Sequence, residues 1–196
     1  MKISIEQRIK RFGLTCTVGD RQFVRGHECV DLGLPSGTLW AKCNLGAEKE
    51  TDFGNYYQFG QFEPYDKTFK NYTPRELDTV SCVWRNGWKT PTQEQFRELI
   101  EKTNNYYAEI DGIKGYIFIN KNNNVKYVFF PAAGYCYNGS VFSVGIYGNY
   151  WSSSILSSNV QNAYYLDFGS SYVNWQYVDS RYRYFGFAVR GVLGEN

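Results

Sequence analysis

Lysine is missing from the last third of this chain: all 11 lysines precede Pro131, and residues 131–196 carry a single glutamate. A stretch so poor in charge cannot act as a basic or acidic docking surface. With a formal net charge of +2 and a pI near 8.2, the chain as a whole also lacks the electrostatic footprint of a nucleic-acid binder. Histidine occurs once, at His27, far from any Cys or Ser motif, so no triad and no histidine-based metal cluster is written in the sequence. No phosphate-binding loop is present either. The five cysteines (Cys16, Cys29, Cys43, Cys82 and Cys136) form no Cys-x-x-Cys pair and leave one over. That excludes the usual zinc frameworks and a complete disulfide framework; buried free thiols, or one bridge, are expected. No apolar run approaches the ~18 residues needed to span a bilayer, and Met1 to Phe12 is too charged for a signal-peptide core. The expectation is a soluble chain with no signal peptide and no membrane insertion. It would reach a surface after removal of an export signal or inside a virus particle.

What the chain has in abundance is aromatic and concentrated. Aromatics make up 19% of it, with 18 Tyr and 14 Phe, and residues 131–196 alone hold ten Tyr, ten Ser, six Asn and eight Gly. Tyrosine gives rigid amphipathic contact area at low entropy cost, and Ser, Asn and Gly give adaptable hydrogen bonding, the composition of antibody recognition loops. The break in composition suggests a scaffold followed by a contact surface. A chain of 196 residues can bury a core without metal or disulfide staples. It is read as one domain, residues 23–196, with a ligand-binding region over 134–192. Residues 1–22 form an appendage in which Ile5, Ile9 and Phe12 are spaced for a short helix or an oligomer contact.

Local patterns predict an α+β fold with mostly antiparallel strands and one or two helices. Val30 to Leu34, a turn at Pro35-Ser-Gly, and Thr38 to Cys43 read as strand, turn and strand. Residues 52–62 read as irregular strand and loop. One helix is convincing: Thr90 with Gln93, or Thr92 with Gln95, makes a capping box, and Phe96, Leu99 and Ile100 form one apolar face, with an end near Asn104-Asn105. Asp111-Gly112 is a hairpin turn joining strands that continue through Gly115–Ile119 and, after Asn122–Asn124, Val125–Phe130. Leu166 and Phe168 alternate with Tyr165 and Asp167 as in a half-buried strand, and Gly186–Val192 reads as buried on both faces.

Gly148-Asn-Tyr-Trp-Ser-Ser-Ser, Asn162-Ala-Tyr-Tyr-Leu-Asp-Phe and Arg183-Tyr-Phe-Gly-Phe-Ala-Val-Arg carry a family resemblance. With them go Leu39-Trp-Ala-Lys-Cys-Asn-Leu-Gly-Ala, Phe53-Gly-Asn-Tyr-Tyr-Gln-Phe-Gly, Lys89-Thr-Pro-Thr-Gln-Glu-Gln-Phe and Phe130-Pro-Ala-Ala-Gly. In this order they resemble the C-type-lectin-fold variable proteins of diversity-generating retroelements, and related paralogous bacterial surface domains. The resemblance covers about residues 28–192 and implies a C-type-lectin-like fold. It also implies a ligand-binding C-terminal surface varied by miscopying template adenines, a role in receptor binding or adhesion, and display on a phage tail or bacterial cell surface. The absence of Lys and the abundance of Tyr, Ser and Asn after Pro131 agree with such diversification. The implied partner is a protein or glycan receptor on a cell surface, and homo-oligomerisation is left open. A non-diversified structural or adhesin-tip module, its C-terminal face packed on a partner subunit, is the contrasting reading.

Trp151, Leu166, Phe168, Phe187 and Val189 match fixed framework positions, as do Arg183 and Arg190, which inside apolar strands need carbonyl or carboxylate partners. The contact residues expected are Tyr137, Asn138, Phe142, Tyr147, Asn149, Leu156, Asn159, Asn162, Tyr165 and Asp167. Tyr172, Asn174, Trp175, Tyr177, Asp179, Tyr182, Tyr184 and Phe185 complete the set. The calcium-dependent sugar motifs of classical lectins are not matched at Glu63-Pro-Tyr or Asn174-Trp-Gln. The paired C-terminal cysteines of the formylglycine-generating enzyme, a distant fold relative, are also absent. No metal, no cofactor and no enzymatic activity is expected.

Overall fold

The computed structural model describes residues 15–18, 21–65, 75–174 and 182–194. Four small sheets dominate it. The first has the order β1 (Thr15–Val18), β2 (Arg21–Val24), β3 (His27–Asp31), β4 (Leu39–Asn44) and β15 (Arg190–Leu193). The second runs β10 (Ser140–Phe142), β9 (Tyr135–Tyr137), β14 (Gly186–Phe187), β5 (Tyr57–Gln58). The third is β11 (Gly148–Ile155), β12 (Ala163–Gly169), β13 (Tyr172–Asn174), and the fourth is β6 (Thr103–Ile110), β7 (Ile113–Asn120), β8 (Asn123–Pro131). Every pairing between these strands is antiparallel. The expected helical segment Ile5–Phe12 lies outside the described residues, and the expected boundary after residue 22 falls inside β2.

The expectation of an α+β class is corrected. Strand accounts for 48% and helix for 10%, so the fold is mostly β, with two helices among the described residues. The reason lies in how the strands are buried. Along β4, Leu39 and Ala41 enter one hydrophobic cluster while Trp40 enters another; Tyr150 and Trp151 divide in the same way, as do Tyr165 and Leu166, then Phe187 and Ala188, then Val192 and Leu193. Successive side chains leave a strand on opposite faces. Each of these strands therefore lies between two cores, which strands fill where helices would otherwise cover a sheet.

The helix Gln93–Lys102 begins at Thr92, whose Oγ1 accepts from Gln95 N at 3.2 Å while Gln95 Oε1 accepts from Thr92 N at 2.8 Å. This is the second of the two capping boxes the sequence allows. Phe96 and Leu99 enter the larger cluster. At the other end Thr103 Oγ1 donates to Leu99 O at 2.6 Å and Asn105 Nδ2 to Ile100 O at 2.8 Å, so side chains satisfy the last-turn carbonyls while the backbone already runs as β6. The short helix Thr79–Trp84 starts at Asp78, whose carboxylate accepts from Ser81 N and also ties down Thr90.

Trp-Ser-Ser-Ser in β11 holds helix and sheet together. The register with β12 shifts between Trp151 and Ile155. Across that bulge Ser152 Oγ donates to Tyr164 O at 2.8 Å, Ser153 N to Pro91 O at 2.8 Å, and Gln93 N to Ser154 Oγ at 3.0 Å. Arg190 is fully buried; it donates to the carbonyls of Ala41 (3.0 Å), Phe129 (2.8 Å) and Lys42, with its guanidinium carbon 4.5 Å from the Phe130 ring. Carbonyls from two sheets thus stand in for a counter-ion. Cys29, Cys43, Cys82 and Cys136 are free thiols, and burial pushes the Cys29 thiol up to about 12, leaving it unreactive.

Candidate functional site

The second sheet and the segment leading into β14 carry a continuous ladder of rings. Tyr182 stacks on Tyr184 (5.1 Å between centroids, 9° between planes), Tyr184 on Phe185 (5.1 Å, 20°), and Phe185 on Tyr137 (4.9 Å, 23°). Tyr135 meets Phe185 edge-on at 5.8 Å and stacks on Phe142 at 5.5 Å. The ladder ends in solvent on both sides, with Tyr182 45% and Phe142 43% exposed. Its base is framework: Phe185 lies 6.2 Å from Phe187, which stacks on Trp151 at 4.1 Å.

Local chemistry fixes these positions. Tyr137 and Phe142 belong to the β9–β10 hairpin, closed by Asn138-Gly139 with φ of 47° and 73°, the left-handed pair that a two-residue turn of this hand requires. Tyr184 is held by its carbonyl, which accepts from Gln58 Nε2 at 2.7 Å. Arg183, between two ladder rings, is buried the other way: it donates to Val160 O (3.0 Å) and Arg75 O (2.5 Å), and its guanidinium carbon sits 4.7 Å from the Phe59 ring.

A second patch adjoins the β10 end. Tyr147 and Tyr172, both about two-fifths exposed, flank Gly169, where an added Cβ would come within 3.2 Å of the first ring and 3.0 Å of the second. Tyr172 Oη donates to Asp167 Oδ2 at 3.1 Å, and Asn149 Nδ2 to Asp167 Oδ1 at 3.0 Å. Burial first, and the Asp167 carboxylate second, hold the Tyr172 phenol well above its usual range, so it stays a neutral donor. Among the described residues no group of His, Cys, Asp and Glu is arranged to hold a metal ion.

The expected contact residues divide accordingly. Phe142, Tyr147, Tyr172 and Tyr182 are exposed, as are Asn138 and Asn159; Tyr137, Leu156, Asp167, Tyr184 and Phe185 are half-buried. Tyr165 is a correction: its alternation with Leu166 and Phe168 predicts an outward position, but it is 2% exposed and packs on Trp151 (6.0 Å) and Phe187 (5.1 Å) in the second core. The alternation is real, and both faces of β12 are buried. Asn149 and Asn162 are corrected too. Asn149 is buried with its amide on Asp167, and Asn162 sits in the turn where Leu156 N donates to Asn162 O. Trp175, Tyr177 and Asp179 lie outside the described residues, and of Asn174 only the backbone, in β13, is described.

The sequence reading missed aliphatics. Val141, Val144, Ile146 and Val160 are exposed beside the predicted aromatics. The available signal was Val-Phe-Ser-Val-Gly-Ile, an apolar run too broken by Ser and Gly to fill a core strand. Eight of the thirteen large apolar or aromatic side chains exposed among the described residues fall between positions 141 and 182.

A family described as a domain of unknown function (DUF8237) matches residues 108–191, a span that includes the ladder and most of its framework. No curated protein and no solved structure matches the chain.

Proposed function

We propose that this chain is a ligand-binding protein of the receptor-recognition kind. Its surface between residues 134 and 192 grips a protein or glycan receptor on a cell surface, and it is displayed from a phage tail or a bacterial surface. The observation that carries the reading is the ladder running from Tyr182 to Phe142, with Val141, Val144 and Ile146 beside it. Monomeric proteins rarely keep an exposed apolar patch of that kind without a partner. The stacked rings are pre-ordered, so little side-chain freedom is lost when they are covered. The motif resemblance to retroelement variable proteins adds a source for the Lys-free, Tyr- and Asn-rich composition: diversification of the gene's 3′ end. No catalytic role is part of the proposal.

Two measurements test it. The gene's 3′ end is compared with any nearby near-identical repeat; mismatches confined to template adenines support diversification, and the lack of a repeat and of a neighbouring reverse transcriptase gene removes it. Separately, Tyr182→Ala combined with Phe142→Ala leaves the fold intact and abolishes binding to receptor-bearing cells. Unchanged binding rejects the patch. The exposed aliphatics also suit packing against a partner subunit. Under that reading the same variant stays bound to cells or is never displayed, because the chain drops out of its assembly.

A further inference from the structure

Strand β6 runs for eight residues along one edge of its sheet, without a bulge or a proline, and among the described residues no strand pairs with its other side. Native edges are usually short, bulged or covered, because their free N–H and C=O groups template pairing with another chain. The turn determines which groups are free. Asp111 and Gly112 close a two-residue hairpin, so Ile110 and Ile113 form the first hydrogen-bonded pair and the pattern alternates back along the strand. The backbone N–H and C=O of Asn105, Tyr107 and Glu109 therefore point away from β7.

Two further features bear on what covers this edge. The sheet face opposite the larger core carries Asn104, Tyr106, Ala108 and Ile110 of β6 beside Ile117 and Ile119 of β7, mostly apolar where a solvated face would be polar, and Tyr106 is 53% exposed. The ends of β6 also differ in net charge: at its start Lys102 and Lys121 outnumber Glu101, and at its close Glu109 and Asp111 outnumber Lys114, which lies across from Glu109, all six exposed. Two copies paired in parallel would set like charges together. Paired antiparallel, each places its Lys102 beside the acidic end of the other.

We infer that β6 pairs antiparallel with β6 of a second copy of this chain about a two-fold axis, fusing two three-stranded sheets into one of six strands with Tyr106 near the axis. Such an interface is isologous and closes at a dimer. Tyr107 Oη donates to Gly145 O at 3.2 Å, so the paired edge braces the loop that carries Val144 and Ile146. The dimer would present two binding faces at once, which multiplies a weak single-site affinity. The inference does not depend on what those faces bind.

Sedimentation equilibrium of the full chain, from micromolar to millimolar concentration, tests it. The wild type is expected to show a reversible monomer–dimer equilibrium. Glu109→Lys and Lys102→Glu should each weaken it about tenfold, because two symmetry-related pairs turn from attraction to repulsion, and the double reversal should restore it. Tyr106→Lys, at an exposed side chain, gives a second variant that should be monomeric, with folding checked by circular dichroism. A wild type that stays monomeric throughout overturns the inference. So does a dimer that ignores both the charge swap and Tyr106→Lys.

Discussion

Arg190 and Arg183 lie seven positions apart and solve the same problem in two different regions. Each is a buried guanidinium hydrogen-bonded to main-chain carbonyls and laid against a phenylalanine ring. Around Arg190 the carbonyls belong to β4, the residue following Ala41 within it, and β8, so one side chain cross-links two sheets at the centre of the fold. Around Arg183 they belong to Val160 and Arg75, both in loops, and the side chain gathers those loops beneath Tyr182 and Tyr184. The same device serves cohesion in one place and the posture of a surface in the other.

Breaking the first clamp should have the largest effect. Arg190→Met removes the side-chain donor shared by the Ala41, Lys42 and Phe129 carbonyls and should cost about 3–5 kcal/mol in urea unfolding, enough to prevent folding of a marginal domain. Tyr165→Ala, in the doubly buried strand, should cost about 3 kcal/mol by the same measurement through lost burial and a cavity. Arg183→Ala should cost about 1–3 kcal/mol and, unlike the other two, speed hydrogen exchange selectively at Val160 to Asn162. Tyr182→Ala should change stability by less than about 0.5 kcal/mol while removing binding. The smallest effect concerns pH. His27 stacks on Trp84 at 3.9 Å, and burial lowers its pKa below the ordinary 6.5. The unfolded chain therefore takes up a proton before the folded one does. Stability is constant above that pH and declines as pH falls from about 6.5 through the lowered folded value, and His27→Phe should flatten this part of the profile.

The sequence made local features legible. Thr92 with Gln95 and the Asp111-Gly112 turn depend only on neighbours a few residues away, and both stand where their patterns place them. The helix ends at Lys102, two residues before Asn104-Asn105, and the Asn105 amide caps it from within the following strand. The helix Thr79–Trp84 left no period to detect, since its anchor is the tie from Asp78 to Thr90. At the candidate site, composition pointed to a segment in which Phe142, Tyr147, Tyr172 and Tyr182 are exposed, but it could not separate Tyr165 from Tyr172. That difference arises from a second core assembled from β4, β5, β12 and β14, strands distant in sequence.

The sandwiching of β11, β12 and the β14–β15 segment between two cores has a consequence for how this chain can change over generations. A strand with one wet face could accept new side chains at every second position. These strands have no such face over most of their length, so substitutions compatible with folding gather at their ends and in the loops beyond. The rings from Tyr182 to Phe142 and the aliphatics beside them occupy that tolerant margin, where novelty can accumulate without loosening the interior.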